Sequence, residues 1–234
     1  MYKLYHCRSA RSFRPLWTLE EAGVPYELVM LPFPPRVLKK DYLAINPLGT
    51  IPAFFDGPIR MTESSAICQY IVTRAITSPL ALRPDEAEYG LWLNWLHFGE
   101  ATLTFPQTLV LRYSLLEPEE KRLPGVAADY RKWFLARLRG IEAALEDRDY
   151  LVGGRFTVAD ISVGYALMLA ETLDINADFT PRVAAYWDRL KALPSHARAL
   201  AVQDRALIEQ GVDPGFSTSL RKSKVAGQQS PASS

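Results

Sequence analysis

Cysteine and histidine are scarce in this sequence. Its 234 residues include two cysteines, Cys7 and Cys68, and three histidines scattered along the chain. Two cysteines do not make a disulfide framework, which favours a reducing compartment. Metal sites need several Cys, His or carboxylate ligands at short spacing, and the sequence has no such spacing. We therefore expect a cytoplasmic protein without a metal site.

An excess of charge of one sign and long hydrophobic runs are also missing. The 27 Lys and Arg residues nearly balance 26 Asp and Glu, which leaves a net charge of +1. This balance argues against nucleic-acid or anionic-membrane partners recruited by bulk charge. No apolar run approaches the roughly 20 residues that span a bilayer. The start, Met1-Tyr-Lys-Leu-Tyr, lacks the regions of a signal peptide.

The first 77 residues predict a small α/β domain. Alternating or apolar runs predict strands over 2–6, 26–31, 51–55 and 59–61, and helical spacing predicts helices over 13–22, 37–44 and 63–76. Gly23 suits the end of the first helix, and Asp56-Gly57 is a hairpin signal. The order βαβαββα implies a mixed four-stranded sheet whose opening strands are parallel.

The rest of the chain predicts an all-helical domain. Residues 78–85 are proline-rich and aperiodic, typical of a linker, and 86–216 carry helical spacing over 86–107, 127–145, 161–173, 186–193 and 194–209. The stretch 161–173 is almost wholly apolar and is expected to be the buried central helix, preceded by a capping box at Thr157–Asp160. Residues 217–234 are polar and are expected to form a mobile tail.

Two segments carry the strongest functional signal, Asn46-Pro-Leu-Gly-Thr-Ile-Pro-Ala53 and Thr62-Glu-Ser-Ser-Ala66. A proline is disfavoured inside a central strand because it cannot donate a ladder hydrogen bond, so Pro52 is expected at the first residue of a strand or in a turn. A cis Ile51–Pro52 peptide bond is the more specific alternative. A cis turn would leave the amide and carbonyl of Ile51 for an extended peptide ligand. Glu63-Ser64 begins a helix, where an anion is favoured. The simpler alternative is an ordinary Pro-initiated strand and an N-capped helix.

These two segments and Gly153-Gly-Arg-Phe-Thr-Val-Ala-Asp160 resemble, in order and spacing, the cytosolic glutathione transferase family. The first loop is similar to that of bacterial members of serine type or of beta- or zeta-like type. The resemblance spans most of the chain. It implies a thioredoxin-like N-terminal domain that binds glutathione, an all-α helical-bundle C-terminal domain that shapes a second-substrate pocket, and a homodimer.

The resemblance also implies roles for individual residues. The backbone of Ile51, before Pro52, would pair with the cysteinyl part of glutathione. Glu63 would face the γ-glutamyl ammonium, and Ser64 the γ-glutamyl carboxylate. Candidates for the glycyl end are Thr50 and one of Lys39 or Lys40, although a lysine pair on a short exposed helix is also typical of a solvated face.

The expected thiol-activating position departs from the family pattern. Members place a Tyr, Ser or Cys after the first strand, and a hydroxyl that donates to the thiolate lowers the thiol pKa. In the loop His6-Cys-Arg-Ser-Ala-Arg-Ser-Phe-Arg14 the serine position of many bacterial relatives is Ala10, and the cysteine of beta-class relatives aligns near Arg11. The catalytic candidates are therefore Ser9, Ser12 and Arg11. Ser12 equally suits a helix N-cap, and Cys7 is either reactive toward glutathione or buried and inert.

Three functions remain open on this evidence. A transferase would direct the glutathione thiolate at an electrophilic hydrophobic acceptor, bound by aromatic residues that are equally typical of a core: Trp95, Phe98, Phe105 and Tyr113. A non-catalytic binding or scaffold protein is favoured by Ala10. A glutathione-dependent thiol–disulfide oxidoreductase would use Cys7. Within the transferase class, the zeta-like Arg8-Ser9 pair favours cis–trans isomerisation among the possible reactions.

Overall fold

A computed structural model describes residues 1–74 and 78–215. They form two compact units, one of residues 1–67 with 198–215 and the other Cys68–Ala197. The sequence assigns residues 86–216 to the helical domain, whereas packing groups 198–215 with the N-terminal sheet. The linker expected at 78–85 and the domain boundaries beside it stay a prediction. The tail expected at 217–234 lies outside the described residues.

The N-terminal unit is built on a mixed four-stranded sheet, as predicted. Its strands are β1 (Tyr2–His6), β2 (Tyr26–Met30), β3 (Ala53–Asp56) and β4 (Ile59–Met61), in the order β2-β1-β3-β4. β1 runs parallel to β2 and antiparallel to β3, and β4 is antiparallel to β3. β3 starts two residues later than predicted because Pro52 has no N–H to donate to the ladder.

The helices of the first 74 residues begin with α1 (Phe13–Ala22), which ends as predicted at the left-handed Gly23 (φ 63°). The single helix predicted over 37–44 is instead α2 (Pro35–Leu38) followed by a 3₁₀ turn (Lys40–Ala44). The backbone of Lys39 between them is not helical (φ −142°, ψ 72°), so the two pieces cannot form one helix. α3 (Ser64–Arg74) follows the sheet, and residues 75–77 of its predicted span lie outside the described residues.

Five further helices lie in the second unit, α4 (Tyr89–Phe98), α5 (Phe105–Leu111), α6 (Pro124–Ala144), α7 (Val158–Thr172) and α8 (Pro181–Lys191), before α9 (Pro194–Glu209). The helix predicted over 86–107 is interrupted by a π-helical segment, Gly99–Thr104. Here Ser162 of α7 donates to the carbonyl of Leu96 (2.7 Å) and Thr104 donates to that of Gly99 (2.7 Å). Such side-chain bonds replace regular ladder partners and widen the helix.

A buried capping box starts the central helix α7, as predicted. Asp160 is fully buried and accepts hydrogen bonds from the backbone of Thr157 (2.8 Å) and Leu151 (3.0 Å) and from the Tyr186 hydroxyl (2.8 Å). The Thr157 hydroxyl accepts in turn from the amide of Ala159 (3.2 Å). One carboxylate therefore joins the start of α7 to the preceding loop and to α8.

Asp160→Ala is expected to lower the free energy of unfolding by about 3 kcal/mol or more, because it leaves several buried donors without an acceptor. Denaturant unfolding followed by circular dichroism measures this loss. Asp129→Ala is the control, because the Asp129 side chain is exposed on α6, and its effect is expected to stay within about 0.5 kcal/mol. Equal losses in the two variants would contradict a structural role for the Asp160 carboxylate.

Candidate functional site

The first part of the site is the turn that leads into β3. The Ile51–Pro52 peptide bond is cis. The carbonyl of Thr50 accepts hydrogen bonds from the Tyr42 hydroxyl (2.8 Å) and from the Asn46 amide (2.9 Å), and Asn46 is only 1% exposed. These bonds hold the chain just before Ile51. Because β3 begins two residues later, the amide and carbonyl of Ile51 lie outside its ladder with β1.

The second part is the N-terminus of α3. The carbonyl of Glu63 accepts the first helical hydrogen bond, from Ile67 (2.9 Å), so the exposed Glu63 is the N-cap residue. Ser64 is 3% exposed, and its hydroxyl oxygen accepts from Nη1 of Arg14 on α1 (3.2 Å). Since a guanidinium only donates, this contact leaves the Ser64 hydrogen for an acceptor such as a carboxylate. A buried positive charge and a helix N-terminus both favour an anion here.

The positions expected at the glycyl end are exposed. The Lys39 ammonium pairs with the Asp41 carboxylate (2.9 Å), with both side chains more than half exposed. Lys40 begins the 3₁₀ turn and is also exposed. Thr50 is exposed, and its carbonyl already bonds within the turn. Binding roles for these residues stay a prediction.

The loop after β1 is organised around a buried histidine. The Ser12 hydroxyl lies 2.7 Å from His6 Nδ1, and His6 Nε2 lies 3.0 Å from the amide oxygen of Gln203 on α9. The same Gln203 atom also accepts a hydrogen bond from the backbone N–H of Ser9 (3.1 Å). Because a backbone N–H can only donate, this atom must be the amide oxygen and not the amide nitrogen. His6 therefore carries its hydrogen on Nε2, and its Nδ1 accepts the Ser12 hydrogen.

This network separates the two serine candidates. Ser12 stands at the N-cap position of α1 but makes no side-chain cap bond; its buried hydroxyl is engaged by His6. Burial lowers the pKa of His6 to about 4, so near pH 7 the ring is neutral and keeps accepting that hydrogen. Ser9 is half-buried and its backbone is left-handed (φ 54°). Among the described residues, no group forms a hydrogen bond with the Ser9 hydroxyl.

The other two chemical candidates of the loop are Arg11 and Cys7. Arg11 is half-buried in the turn before α1. Cys7 is fully buried in an apolar cluster that includes Ile51 and Tyr42. Burial raises the pKa of the Cys7 thiol, which disfavours the thiolate needed for disulfide exchange. The oxidoreductase alternative therefore has little support in the environment of this thiol, and a role for Arg11 stays a prediction.

The four aromatic candidates of the second unit differ in their surroundings. Trp95 is 9% exposed and forms an edge-to-face pair with Phe98, their ring centroids 4.9 Å apart. Phe105 is 52% exposed on α5. Tyr113 is half-buried, and the Arg112 guanidinium lies over its ring in a cation–π contact, 5.4 Å from the ring centroid. A second-substrate pocket formed by these residues stays a prediction.

Within residues 1–74 and 78–215, no helix is long and apolar enough to cross a membrane. The same residues contain no group of three or more His, Cys, Asp or Glu side chains arranged to hold a metal ion.

Comparison with known proteins identifies the family. Residues 1–73 match the family model of the glutathione S-transferase N-terminal domain, and residues 116–194 match that of the C-terminal domain. The glutathione S-transferase GstA of Escherichia coli O157:H7 is 31% identical over 205 residues, which cover 86% of this chain and 98% of that protein. The chain belongs to the glutathione S-transferase family.

Solved structures of glutathione transferases have the same fold. The enzyme from Methylococcus capsulatus str. Bath is 27% identical, with a TM-score of 0.78 over 87% of this chain and 99% of that one. A sphingomonad glutathione S-transferase, solved in complex with glutathione, is 25% identical, with a TM-score of 0.75 over 86% of this chain and 98% of that one. The family and fold inferred from the sequence motifs are therefore confirmed.

Three residues that support the candidate site were not assigned a role from sequence. Arg14 interrupts the apolar start of α1, and an arginine on the buried face of a helix is the signal that was available for it. Asn46 opens the recognised motif, but its bonds to Thr50 follow from the folded turn. Gln203 meets the loop after β1 across 194 residues of chain, and nothing near it in the sequence indicates that contact.

The neutral His6 makes the stability of this glutathione transferase depend on pH. The unfolded ring binds a proton near pH 6.5, whereas the folded ring does so only near pH 4. The contribution of His6 is thus complete above pH 6.5 and is lost as the pH falls toward 4, by on the order of 3 kcal/mol. In His6→Asn, the loss of unfolding free energy from about pH 7.5 to about pH 4.5 should be smaller by on the order of 2 kcal/mol.

Denaturant titrations at several pH values test this expectation. His97→Asn is the matched control, because His97 is the exposed histidine of α4. It should keep the wild-type dependence on pH. A wild-type dependence in His6→Asn would contradict a neutral, buried His6.

Proposed function

We propose that this protein is a glutathione transferase that binds glutathione, holds its sulfur as a thiolate beside Ser9 and directs it at an electrophilic carbon of a hydrophobic acceptor. The observation that carries the proposal is the hydrogen bond from the buried Arg14 to Ser64 at the N-terminus of α3. This contact supports the proposal because it leaves the Ser64 hydroxyl as a donor at a helix N-terminus, where a carboxylate is favoured.

Each end of the γ-glutamyl-cysteinyl unit has a chemically suited partner in this proposal. The γ-glutamyl carboxylate accepts from the Ser64 hydroxyl, within the positive field of Arg14 and of the helix N-terminus. The exposed Glu63 carboxylate pairs with the ammonium. The amide and carbonyl of Ile51, which lie outside the ladder between β3 and β1, bond with the cysteinyl backbone. Thr50 and Lys39 are proposed for the glycyl end.

Ser9 supplies the activating hydroxyl. The glutathione thiol loses its proton to solvent, and the Ser9 O–H donates to the resulting thiolate, which lowers the thiol pKa. The sulfur lone pair then forms a bond to the electrophilic carbon, and the acceptor's leaving group departs with its bonding electrons. Holding both reactants in one cleft supplies much of the acceleration. Arg11, two residues further along the same loop, adds positive charge.

The remaining parts of the proposal follow the family. Trp95, Phe98, Phe105 and Tyr113 form the walls for a hydrophobic acceptor, the protein is cytoplasmic, and two copies form a homodimer. The second candidate function is a non-catalytic glutathione-binding protein. It is favoured by Ala10, which stands where many bacterial relatives of serine type carry their serine. The two functions differ in whether the bound thiol ionises near neutral pH.

Calorimetric titration with reduced glutathione, in two buffers that differ in protonation enthalpy, tests binding and proton release together. Ser64→Ala should raise the Kd about tenfold, because it removes a charge-assisted contact. Thr73→Ala, on the exposed far end of α3, is the control and should bind like wild type. No saturable binding by the wild-type protein would overturn both functions, and binding without proton release would favour the non-catalytic one.

Ser9→Ala separates the two serines. It should raise the pKa of the bound thiol by about one unit or more, because the hydroxyl donor is lost, with little change in the Kd. Ultraviolet absorption of the thiolate across a pH titration measures this pKa. Ser12→Ala should leave it within about 0.3 units, since the Ser12 hydrogen is already given to His6. The reverse pattern would transfer the activating role to Ser12.

A further inference from the structure

We propose that Gln203 on α9 is a positioning residue, whose amide oxygen holds the Ser9 backbone in the conformation that presents the Ser9 hydroxyl to the sulfur of glutathione. This inference rests on the proposed function and extends it to a residue far from the loop in sequence. Its basis is a buried contact between α9 and the loop after β1, at residues that both belong to the N-terminal unit.

The contact is direct and buried. Oε1 of Gln203 accepts from the Ser9 amide (3.1 Å) and from His6 Nε2 (3.0 Å), and the Gln203 side chain is fully buried. Hydrogen bonds shielded from water are electrostatically stronger than exposed ones. One oxygen therefore ties the end of β1, through His6, and the loop residue Ser9 to the same point on α9.

Ser9 needs such a constraint more than other loop residues. Its φ of 54° lies in the left-handed region that a serine seldom adopts. Rotation about the N–Cα bond sets where the side chain points, and an anchored N–H restricts that rotation. Without the anchor, the backbone is free to relax toward right-handed or extended conformations, and the hydroxyl then leaves its position.

The residues next to Gln203 and Ser9 form a second contact between α9 and the loop. The Asp204 carboxylate accepts from Arg8 through both oxygens, from Nε (2.7 Å) and from Nη2 (3.3 Å). Consecutive residues of α9 thus hold consecutive residues of the loop. The Asp204 side chain is 45% exposed, so solvent weakens this pair. Gln203 is the buried member, and for that reason we assign the positioning role to it.

The other half of the Gln203 amide supports a role beyond packing. Nε2 of Gln203 is buried and, among the described residues, has no hydrogen-bond partner. A buried amide with one end unpaired is a poor choice for stability alone, because an apolar side chain of the same length avoids the desolvation. The oxygen is the part of this side chain that the loop uses.

A double-mutant cycle in the full-length protein tests the inference, with Ser9→Ala, Gln203→Met and the double variant. The readouts are the pKa of the bound glutathione thiol, from thiolate absorption, and the Kd of glutathione. Gln203→Met should raise the thiol pKa by about half a unit or more, with the Kd within about twofold. Because Gln203 acts through Ser9, the double variant should match Ser9→Ala alone.

Two results would overturn the positioning role and leave the proposed function standing. In one, Gln203→Met keeps the wild-type thiol pKa while Ser9→Ala raises it. In the other, Gln203→Met raises the pKa by the same amount in the presence and absence of the Ser9 hydroxyl. If Ser9→Ala itself leaves the thiol pKa unchanged, the proposed function of Ser9 fails, and the inference fails with it.

Gln210→Met is the matched control. Gln210 also joins the C-terminal segment to the N-terminal sheet through its side-chain amide, accepting from Met30 N (2.8 Å) and donating to the Leu28 carbonyl (2.8 Å). Gln210 bonds to β2 rather than to the loop, so Gln210→Met should keep the wild-type thiol pKa.

Gln203→Asn provides a milder second variant if Gln203→Met does not fold. Gln203→Asn keeps the amide, but its shorter side chain withdraws the oxygen from Ser9. This variant should therefore raise the thiol pKa, as Gln203→Met does.

Discussion

The neutral, buried ring of His6 is the constraint on which the chemistry of the first loop depends. Burial lowers the pKa of His6 to about 4, so the ring offers one acceptor and one donor near pH 7. The acceptor takes the hydrogen of Ser12, and the donor meets the Gln203 oxygen, which also holds the amide of Ser9. A charged His6 would have two donors and no acceptor for Ser12. Neutrality thus decides which serine keeps a hydroxyl for other partners.

The two parts of the proposed glutathione site share a design in which buried polar residues orient the groups proposed to touch the ligand. Arg14 lies behind Ser64 and sets the polarity of its hydroxyl. Asn46 and Tyr42 bond to the carbonyl before Ile51 and hold the turn that keeps this residue outside the sheet. Such support allows a site to be formed before the ligand arrives, which reduces the entropy lost on binding.

Local signals predicted the elements that local interactions decide. Gly23 ends α1 at the expected residue because only a few residues take part in a helix terminus, and the Asp56-Gly57 hairpin joins β3 to β4 as expected. The long helix predicted over 86–107 failed at the π-helical segment Gly99–Thr104. One cause of this π-helical segment is Ser162, a residue of another helix, which is so close that a Cβ at Gly99 would lie 2.4 Å from the Ser162 hydroxyl oxygen. The hydrophobic periodicity of residues 86–107 cannot indicate a contact with a different helix.

By itself, the sequence determined the family, the order of strands and helices over the first 74 residues, the proline turn at Ile51-Pro52 and the helix start at Glu63-Ser64. Each of these depends on residues a few positions apart, through proline geometry, capping and hydrophobic periodicity. The tertiary structure alone separated Ser9 from Ser12, because the distinction lies in burial and in a bond to Gln203 across 194 residues. Burial and long-range hydrogen bonds exist only once the chain has folded, so no local pattern records them.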